Sequence, residues 1–323
     1  MDLLFAPSDL ERLRSVCNLV WAKDEEAPKE VIEAAREDLF AIVTGQWSYG
    51  DVNRFPNLKA ILETSGGFPS SDVLDYEACF SRGIRVLSCA PAFGPTVAEM
   101  GLGLAIATAR RIVWNDADFR KGEGHWSHRD SRDEFSIFGL QAGFIGFGSL
   151  ARCLKSLLEP FGCPIQVYDP WMTDAYLTSQ GVTPVDLETL LSTSRLIFVL
   201  ATPTGSNREQ IGRELLEKIR PDAVFLLLSR SHILSFDALT DVLNEGRFWA
   251  GIDVYPEEPL PMDHRIRSAP NVVFSTHRAG AISEAFRNIG RMVTNDVEAI
   301  VKGLPPRDMQ VADPAYIDLR GVR

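Results

Sequence analysis

A glycine-rich turn near the middle of the chain is the feature that most constrains its fold. Residues 143–151 read GFIGFGSLA, and from Gly146 they follow the form Gly-x-Gly-x-x-Ala. An apolar strand is predicted before the turn and an amphipathic helix after it, so the free N–H groups of the helix N-terminus face the turn. Asp169 ends the next predicted strand about 20 residues later, where an acidic side chain can bind a ribose hydroxyl. The pattern predicts a dinucleotide-binding βαβ unit, with Gly146 and Gly148 at the pyrophosphate.

Strand and helix patterns alternate along most of the chain. A long helix predicted to begin at Pro95 and a polar segment, residues 121–135, separate two series of strands. The predicted strands are residues 39–45, 58–63, 83–88, 141–146, 164–169, 195–201, 222–229, 248–254 and 271–276. Strands separated by helices indicate parallel sheets with crossover connections, which bind ligands beyond the carboxyl ends of the strands. With 323 residues, the chain is predicted to form two such α/β domains.

Composition excludes several classes of partner. A hydrophobic fraction of 45% with 24% charged residues is typical of a soluble globular protein. The formal net charge of −11 argues against binding to nucleic acid or to an acidic membrane surface. No apolar run approaches the roughly 20 residues of a membrane span, and the N-terminus carries charges where a signal peptide is apolar. We therefore predict a cytoplasmic protein with neither nucleic-acid nor membrane partners.

The cysteines show no metal-binding pattern. None of the five forms a Cys-x-x-Cys pair or lies at ligand spacing from a histidine. They are Cys17, Cys79, Cys89, Cys153 and Cys163. We predict reduced thiols and no metal site, and a single catalytic cysteine remains an alternative.

Polar residues follow the later strands, where a doubly wound sheet places its chemistry. Arg230 and His277 each follow a predicted strand, Asp253 ends another, and Glu258 lies in the loop after it. A guanidinium can bind a substrate carboxylate through paired hydrogen bonds. An imidazole can exchange a proton near neutral pH, and a neighbouring carboxylate can orient it. These residue types together predict a catalytic site.

Each of these residues also has a structural alternative. Taken alone, Arg230 can be interpreted as a solvated surface arginine. Glu258 can be interpreted as a loop charge beside prolines, and His277 as a capping or core histidine. Their combination behind a dinucleotide motif favours the catalytic interpretation. The remaining histidines lack that context and are interpreted as surface residues. They are His125, His128, His232 and His264.

Several blocks in order resemble the D-isomer-specific 2-hydroxyacid dehydrogenases. The resemblance covers residues 58–303. The blocks are TVAEMGLGLAIATARRI, GFIGFGSLARCLKSLLEPFG, SRSHILSFDALTDVLNEGRF, GIDVYPEEPLP and NVVFSTHRAG. The resemblance implies a Rossmann NAD-binding domain, residues 99–284, inserted into a smaller flavodoxin-like substrate domain, residues 1–98 and 285–323. It also implies a homodimer through the long helix.

The resemblance assigns roles to individual residues. It implies that Arg230 binds the substrate, that His277 is the acid/base and that Glu258 is its partner. Backbone N–H groups of a loop matching Ser65, Gly66 and Gly67 would bind the substrate carboxylate. The implied cofactor-binding residues are Thr96, Gly146, Gly148, Ser149, Leu150, Asp169, Thr202, Ser229, Arg230, Asp253, His277 and Gly280. The expected cofactor is NAD, because the carboxylate of Asp169 would repel a 2′-phosphate.

The chain departs from the family pattern at several positions. Ser231 and His232 follow the arginine where small residues are usual, and Arg278 follows His277 where an apolar residue is common. The substrate loop reads SGGFPSSD, the loop after residue 200 lacks the usual His-x-Pro, and the N-terminal strand is short or missing. None of these departures removes a catalytic group, but they leave the identity of the 2-hydroxy acid open.

Two functions remain possible on this sequence. The first is reversible hydride transfer between NAD(H) and a small 2-oxo or D-2-hydroxy acid, catalysed by Arg230, Glu258 and His277. The second is an NAD(H)-sensing interaction protein like the C-terminal-binding corepressors, because a shared fold does not fix function. The acidic charge and the lack of an interaction tail favour the enzyme.

Overall fold

The computed structural model describes residues 3–124, 126, 133–314 and 317, and it divides the chain into two compact units. Unit one comprises Met1–Gly94, Thr204–Ser206 and Gly280–Arg323. Unit two comprises Pro95–Pro203 and Asn207–Ala279. The sequence prediction placed these two domain boundaries a few residues later, after residues 98 and 284. His125 and His128 lie outside the described residues.

Short strands alternate with helices, as the patterns predicted. The strands are β1 (Ala41–Thr44), β2 (Ala60–Glu63), β3 (Arg85–Ser88), β4 (Ala142–Ile145), β5 (Ile165–Tyr168), β6 (Thr183–Pro184), β7 (Leu196–Val199), β8 (Val224–Leu227), β9 (Trp249–Ile252), β10 (Val272–Phe274) and β11 (Gln310–Val311). The α-helices are α1 (Pro7–Val16), α2 (Lys29–Ala35), α3 (Tyr76–Ser81), α4 (Ala90–Ala109), α5 (Ile112–Lys121), α6 (Ser149–Leu158), α7 (Asp174–Ser179), α8 (Leu187–Thr193), α9 (Arg213–Leu216), α10 (Phe236–Asn244) and α11 (Ser283–Val301). The sequence pattern of residues 208–218 also predicts a helix, of which the structure has only the four residues of α9.

Unit two contains a seven-stranded parallel sheet in the order β10-β9-β8-β7-β4-β5-β6. The central strands β4, β7 and β8 are buried along their whole length. Alternate residues belong to different hydrophobic clusters, since Phe144 and Phe198 lie in one and Ile145 and Ile197 in the other. Side chains of a strand point alternately to the two faces, so both faces are covered. The predicted doubly wound α/β fold is confirmed here, and the strand order reverses at β4.

Unit one has a smaller sheet in the order β1-β2-β3-β11. The first three strands are parallel, and β11, from the C-terminal tail, pairs antiparallel with β3. Among the residues that the structure describes, the parallel strands of this sheet follow one another in chain order, and β11 lies at the edge next to β3. In the part of the chain that the structure describes, no strand precedes β1, in keeping with the expected short or missing N-terminal strand.

Helix α4 differs from its prediction at both ends. It begins at Ala90 rather than Pro95, and Pro95 lies inside it. It ends at Ala109, and Arg111 adopts a left-handed conformation (φ 51°) before α5 begins. The predicted single helix is therefore two helices, because one left-handed residue interrupts the hydrogen-bond ladder.

By length and apolar composition, α4 is the one helix among the described residues that could cross a membrane. The expectation that no apolar run approaches that length is therefore wrong by this criterion. The criterion is weak evidence, because core helices of soluble proteins also meet it. Part of α4 is such a core helix, since Ala98, Leu104, Ala105 and Ala109 belong to a buried cluster of unit two.

Candidate active site

The glycine turn follows β4, at the point where the strand order reverses. Gly146 has φ +93°, and a Cβ atom there would lie 2.6 Å from the Ala201 Cα atom and 2.8 Å from its nitrogen. Ala201 follows the neighbouring strand β7. Gly146 is thus required twice, by its left-handed backbone and by this close approach of two main chains.

Gly148 has no such requirement within the chain itself. Its backbone conformation is ordinary (φ −77°), and a Cβ atom there would have no atom within 4 Å. Helix α6 begins at Ser149, and none of the described side chains caps its N-terminus. The N-terminal N–H groups, including those of Ser149 and Leu150, therefore adjoin open space that a side chain at position 148 would fill. This arrangement fits a dinucleotide pyrophosphate.

Asp169 is held at the glycine turn by backbone donors. Its Oδ2 accepts a hydrogen bond from the Phe147 N–H (2.8 Å), and its Oδ1 accepts one from the Trp171 N–H (3.0 Å). The carboxylate therefore links the end of β5 to the turn after β4. The structure places it next to the turn, as the sequence spacing predicted.

The carboxyl ends of β8, β9 and β10 meet at one edge of the sheet. Leu227 pairs with Ile252, and Ile252 pairs with Phe274, so these three strand ends are aligned. The residues that follow them at this edge are Arg230, Asp253 and His277. Sequence positions dozens of residues apart are thereby brought to one face of unit two.

His277 is hydrogen-bonded to Glu258. Its Nδ1 lies 2.6 Å from Glu258 Oε2, and both side chains are partly exposed. Glu258 is itself oriented, because its Oε1 accepts a hydrogen bond from the Tyr255 N–H (3.0 Å). A carboxylate only accepts, so this contact assigns the imidazole hydrogen to Nδ1 and leaves Nε2 for other chemistry.

Asp253 supports the backbone around His277. Its side chain is fully buried, and its two oxygens accept hydrogen bonds from the N–H groups of Arg278 (2.9 Å) and Ala279 (3.2 Å). Its carbonyl accepts the His277 N–H (2.8 Å). His277 has φ +54°, a left-handed conformation that is uncommon for a residue with a side chain. Asp253 therefore holds the loop that carries the histidine.

Arg230 is exposed and lies between two serines whose hydroxyl groups are buried. Its Nη1 donates to the Ser229 carbonyl (2.7 Å). The side-chain oxygens of Ser229 and Ser231 are buried, and neither has a hydrogen-bond partner among the residues that the structure describes. Buried hydroxyls without a partner are uncommon, and a bound ligand or water often satisfies them. The expected cofactor position Ser229 is consistent with that reading.

Two further expected cofactor residues are also in unit two. Thr96 lies in α4, and the carbonyl of Thr202 accepts a hydrogen bond from Asn207 Nδ2 (2.9 Å) after β7. The remaining expected cofactor residue, Gly280, belongs to unit one together with Ser65, Gly66 and Gly67.

The expected substrate loop follows β2, and two of its backbone N–H groups bind a side chain of the same unit. Glu63, at the end of β2, accepts the Ser65 N–H at Oε1 (3.0 Å) and the Gly67 N–H at Oε2 (3.2 Å). Two of the three backbone groups expected to bind a substrate carboxylate therefore have an internal acceptor. The physical reason is proximity, since Glu63 precedes the loop and is buried at 2% exposure.

The Phe93 ring leaves no room for a side chain at two glycines of unit one. A Cβ atom on Gly66 would lie 2.9 Å from the Phe93 ring, and one on Gly280 would lie 2.8 Å from it. Sequence reasoning missed both Phe93 and Glu63. The acidic residue at the end of the apolar strand LKAILE was the available signal for Glu63, whereas Phe93 gives none without the structure.

Comparison with known proteins agrees with the predicted family. Residues 102–279 match the family model described as D-isomer specific 2-hydroxyacid dehydrogenase, NAD binding domain. The chain is 30% identical over 298 residues to a glyoxylate reductase of Korarchaeum cryptofilum, with 89% of this chain and 87% of that protein covered. It is 29% identical over 286 residues to a glycerate dehydrogenase of Methylorubrum extorquens, with 86% and 87% covered.

A solved structure extends the agreement to the fold. A phosphoglycerate oxidoreductase from Rhizobium etli superposes with a TM-score of 0.84 at 35% identity, covering 97% of this chain and 95% of that one. An acyclic imino acid reductase in complex with NADPH and D-Arg shares the fold alone, at 19% identity and a TM-score of 0.77 over 95% of this chain and 96% of that one. From the family model and the identity over most of its length, the chain belongs to the D-isomer-specific 2-hydroxyacid dehydrogenases and is an NAD-dependent enzyme of that family.

Proposed function

We propose that this enzyme interconverts a small 2-oxo acid and the corresponding D-2-hydroxy acid, with Arg230, Glu258 and His277 as its catalytic residues. The observation that carries the proposal is the 2.6 Å contact between His277 Nδ1 and Glu258 Oε2, at the sheet edge where Arg230 also lies. An oriented imidazole and a guanidinium at strand ends are the groups that reduction of a charged carbonyl compound needs.

Each group has a separate task in the proposed reaction. NADH, when bound, supplies the hydride. In the reducing direction His277 donates the proton on Nε2 to the substrate oxygen, and in the oxidising direction it takes a proton from the hydroxyl group. Glu258 keeps the imidazole in one orientation and stabilises its protonated form. Arg230 binds the substrate through hydrogen bonds that its positive charge strengthens.

We assign cofactor binding chiefly to unit two. Gly146, Gly148, Ser149 and Leu150 are proposed to bind the pyrophosphate, and Asp169 the ribose. The carboxylate of Asp169 supports a preference for NAD over NADP, because it would repel a 2′-phosphate. The further proposed cofactor residues are Thr96, Thr202, Ser229, Arg230, Asp253, His277 and Gly280. We propose unit one as the substrate domain, with Ser65, Gly66 and Gly67 near the substrate.

A substrate panel with one histidine variant tests this function. The wild-type enzyme is expected to oxidise NADH with glyoxylate, hydroxypyruvate or pyruvate. It is expected to oxidise NADH faster than it oxidises NADPH. His277→Gln is expected to lower kcat by about 10²- to 10⁴-fold, the usual contribution of general acid–base catalysis. NADH binding, measured by fluorescence titration, should be retained. His264→Gln is the matched control, because His264 caps a short turn and contacts the Phe236 ring, and has no part in the proposed reaction.

The same panel separates the enzyme from the alternative. Tight NADH binding without turnover of any 2-oxo acid would favour the NAD(H)-sensing interaction protein. An active His277→Gln enzyme would instead leave hydride transfer intact and remove His277 as the acid/base.

We also propose a homodimer in the cytoplasm. The large exposed apolar residues Ile112 and Val113 lie in α5, directly after the apolar helix α4, and support an interface in this region. Light scattering during size-exclusion chromatography measures the mass in solution.

The proposed cytoplasmic location is supported by two buried thiols. Burial raises the pKa of the Cys79 thiol to about 11 and that of Cys89 to about 12, which keeps both thiols protonated and slow to oxidise.

A further inference from the structure

Tyr255 connects the loop after β9 to the end of β10. Its phenol oxygen lies 2.6 Å from the Ser275 carbonyl oxygen and 3.3 Å from that of Ile252. A phenol has one hydrogen to donate, so the shorter contact, to Ser275, is the hydrogen bond. Ser275 directly follows β10 and precedes His277 by two positions. The hydroxyl of Tyr255 therefore holds the start of the loop that carries the histidine.

The backbone of Tyr255 holds the partner of that histidine. Its N–H donates to Glu258 Oε1 (3.0 Å), and Glu258 Oε2 lies 2.6 Å from His277 Nδ1. The contacts form a closed circuit that leads from Ser275 through Tyr255 and Glu258 to His277. All four residues belong to unit two. Tyr255 thus binds the histidine loop with its side chain and the carboxylate with its backbone.

The phenol of Tyr255 remains a donor at the pH of any ordinary assay. Burial raises the pKa of Tyr255 to about 12, and the charge of Asp253 acts in the same direction. Its ring packs edge-on against Phe236, with the ring centroids 6.1 Å apart. A phenylalanine at position 255 would keep this ring contact and would remove only the hydrogen bond to Ser275.

Asp253 does not perform the same task. Its side chain accepts the N–H groups of Arg278 and Ala279, so it holds the loop after His277 rather than before it. It makes no hydrogen bond to Glu258 among the contacts of the described residues. Tyr255, by contrast, joins the loop of the histidine to the loop of its carboxylate.

We propose that Tyr255 is a positioning residue for the reaction, because its hydroxyl and its backbone N–H together set the distance between the Glu258 carboxylate and the His277 imidazole. The inference rests on the proposed function, in which His277 is the acid/base. Tyr255 acts through Glu258 rather than on the substrate. Its hydroxyl therefore contributes to the rate of the chemical step and not to the binding of substrate or NADH.

Nitrogen NMR of the histidine rings tests this positioning without turnover. In neutral His277 the contact with Glu258 keeps the hydrogen on Nδ1, and the two ring ¹⁵N shifts report which nitrogen carries it. Tyr255→Phe is expected to convert this single form into a mixture of both tautomers. His277→Gln assigns the signals. Tyr76→Phe is the matched control, because the Tyr76 hydroxyl also donates to a backbone carbonyl at 2.6 Å but lies in unit one.

Unchanged His277 shifts in Tyr255→Phe would overturn the proposal, and so would the same change in Tyr76→Phe. Tyr255→Phe differs from wild type by one hydroxyl group. If it failed to fold, that hydroxyl would have a structural role, and the proposal would also be overturned.

A double-mutant cycle tests whether Tyr255 acts through Glu258. Tyr255→Phe alone is expected to lower kcat about tenfold, because a small displacement of a catalytic group slows the reaction, with unchanged KM and unchanged Kd for NADH. In a Glu258→Ala background, which lacks the contact, Tyr255→Phe should cause no further fall in kcat. A further tenfold fall there would mean that Tyr255 acts independently of Glu258. If wild-type protein turns over no 2-oxo acid, the proposed function fails, whereas the NMR measurement still decides whether Tyr255 sets the contact.

Discussion

Two carboxylates hold the loop that carries His277, and they bind different parts of it. Glu258 binds the imidazole, and Asp253 binds the backbone of the two residues that follow. A left-handed conformation costs a residue with a side chain about 1 kcal/mol or more, so it persists only where the surroundings impose it. Asp253 therefore has a positioning task that its expected role as a cofactor residue does not describe.

Asp253→Asn should lower kcat about tenfold or more with little change in the Kd for NADH. An amide has one acceptor oxygen and one donor group, so either the Arg278 or the Ala279 N–H would face another donor. The loop would shift, and small displacements of a catalytic group can cost up to about 100-fold in rate. Steady-state kinetics and NADH titration separate the two parameters. A raised Kd for NADH with unchanged kcat would instead support a direct contact between Asp253 and the cofactor.

The turn between β4 and α6 contains two glycines with different physical requirements. Gly146→Ala is expected to destabilise the protein and to abolish NADH binding, because its Cβ atom would collide with the backbone of Ala201. Gly148→Ala is expected to leave Tm unchanged but to weaken NADH binding, since its Cβ atom meets only open space. Calorimetry and NADH titration of both variants test this. Equal NADH affinity in Gly148→Ala and wild type would contradict our placement of the pyrophosphate.

Elements with a strong local pattern could be predicted from the sequence, and elements that depend on distant partners could not. Six of the seven strands of unit two and the turn at Gly146 were predicted because buried apolar runs and glycines signal them directly, whereas the two-residue strand β6 was missed. The start of α4 was missed because proline usually marks a first turn, whereas five helical residues precede Pro95 here. Strand β11 was missed because only its pairing with β3 makes two residues extended.

The candidate site shows the same limit. Arg230, Glu258 and His277 could be predicted because they follow recognisable strands. The hydrogen bonds from Ser65 and Gly67 to Glu63 could not, since they depend on the geometry of the loop within unit one.

At the scale of the whole molecule, the chain leaves unit one after Gly94 and returns to complete it at Gly280. Helix α11 supplies Ile289, Met292 and Val293 to a buried cluster that also contains Phe5 from the start of the chain. The core of unit one therefore requires both ends of the chain, whereas the seven-stranded sheet of unit two is built from one nearly continuous stretch.

Asp296 binds the backbone of residues 307–309, which follow helix α11. It is fully buried in α11, and its Oδ1 accepts the Arg307 N–H (2.6 Å) and the Asp308 N–H (3.1 Å), while its Oδ2 accepts the Met309 N–H (2.8 Å). These bonds fix the turn directly before β11, which pairs with β3. The carboxylate thus ties the last helix to the edge of the sheet.

Asp296→Ala is expected to lower the free energy of unfolding by about 2–5 kcal/mol, because it leaves buried N–H groups without an acceptor. Glu298→Ala is the control on the same helix. Its carboxylate is partly exposed and binds the Arg12 guanidinium rather than buried backbone N–H groups, so a smaller loss is expected. Urea unfolding gives both free energies. NADH affinity should be unchanged in both variants, since unit two supplies the glycine turn. Equal losses in the two variants would mean that the tail is held by its apolar contacts, and that Asp296 contributes no more than a surface charge.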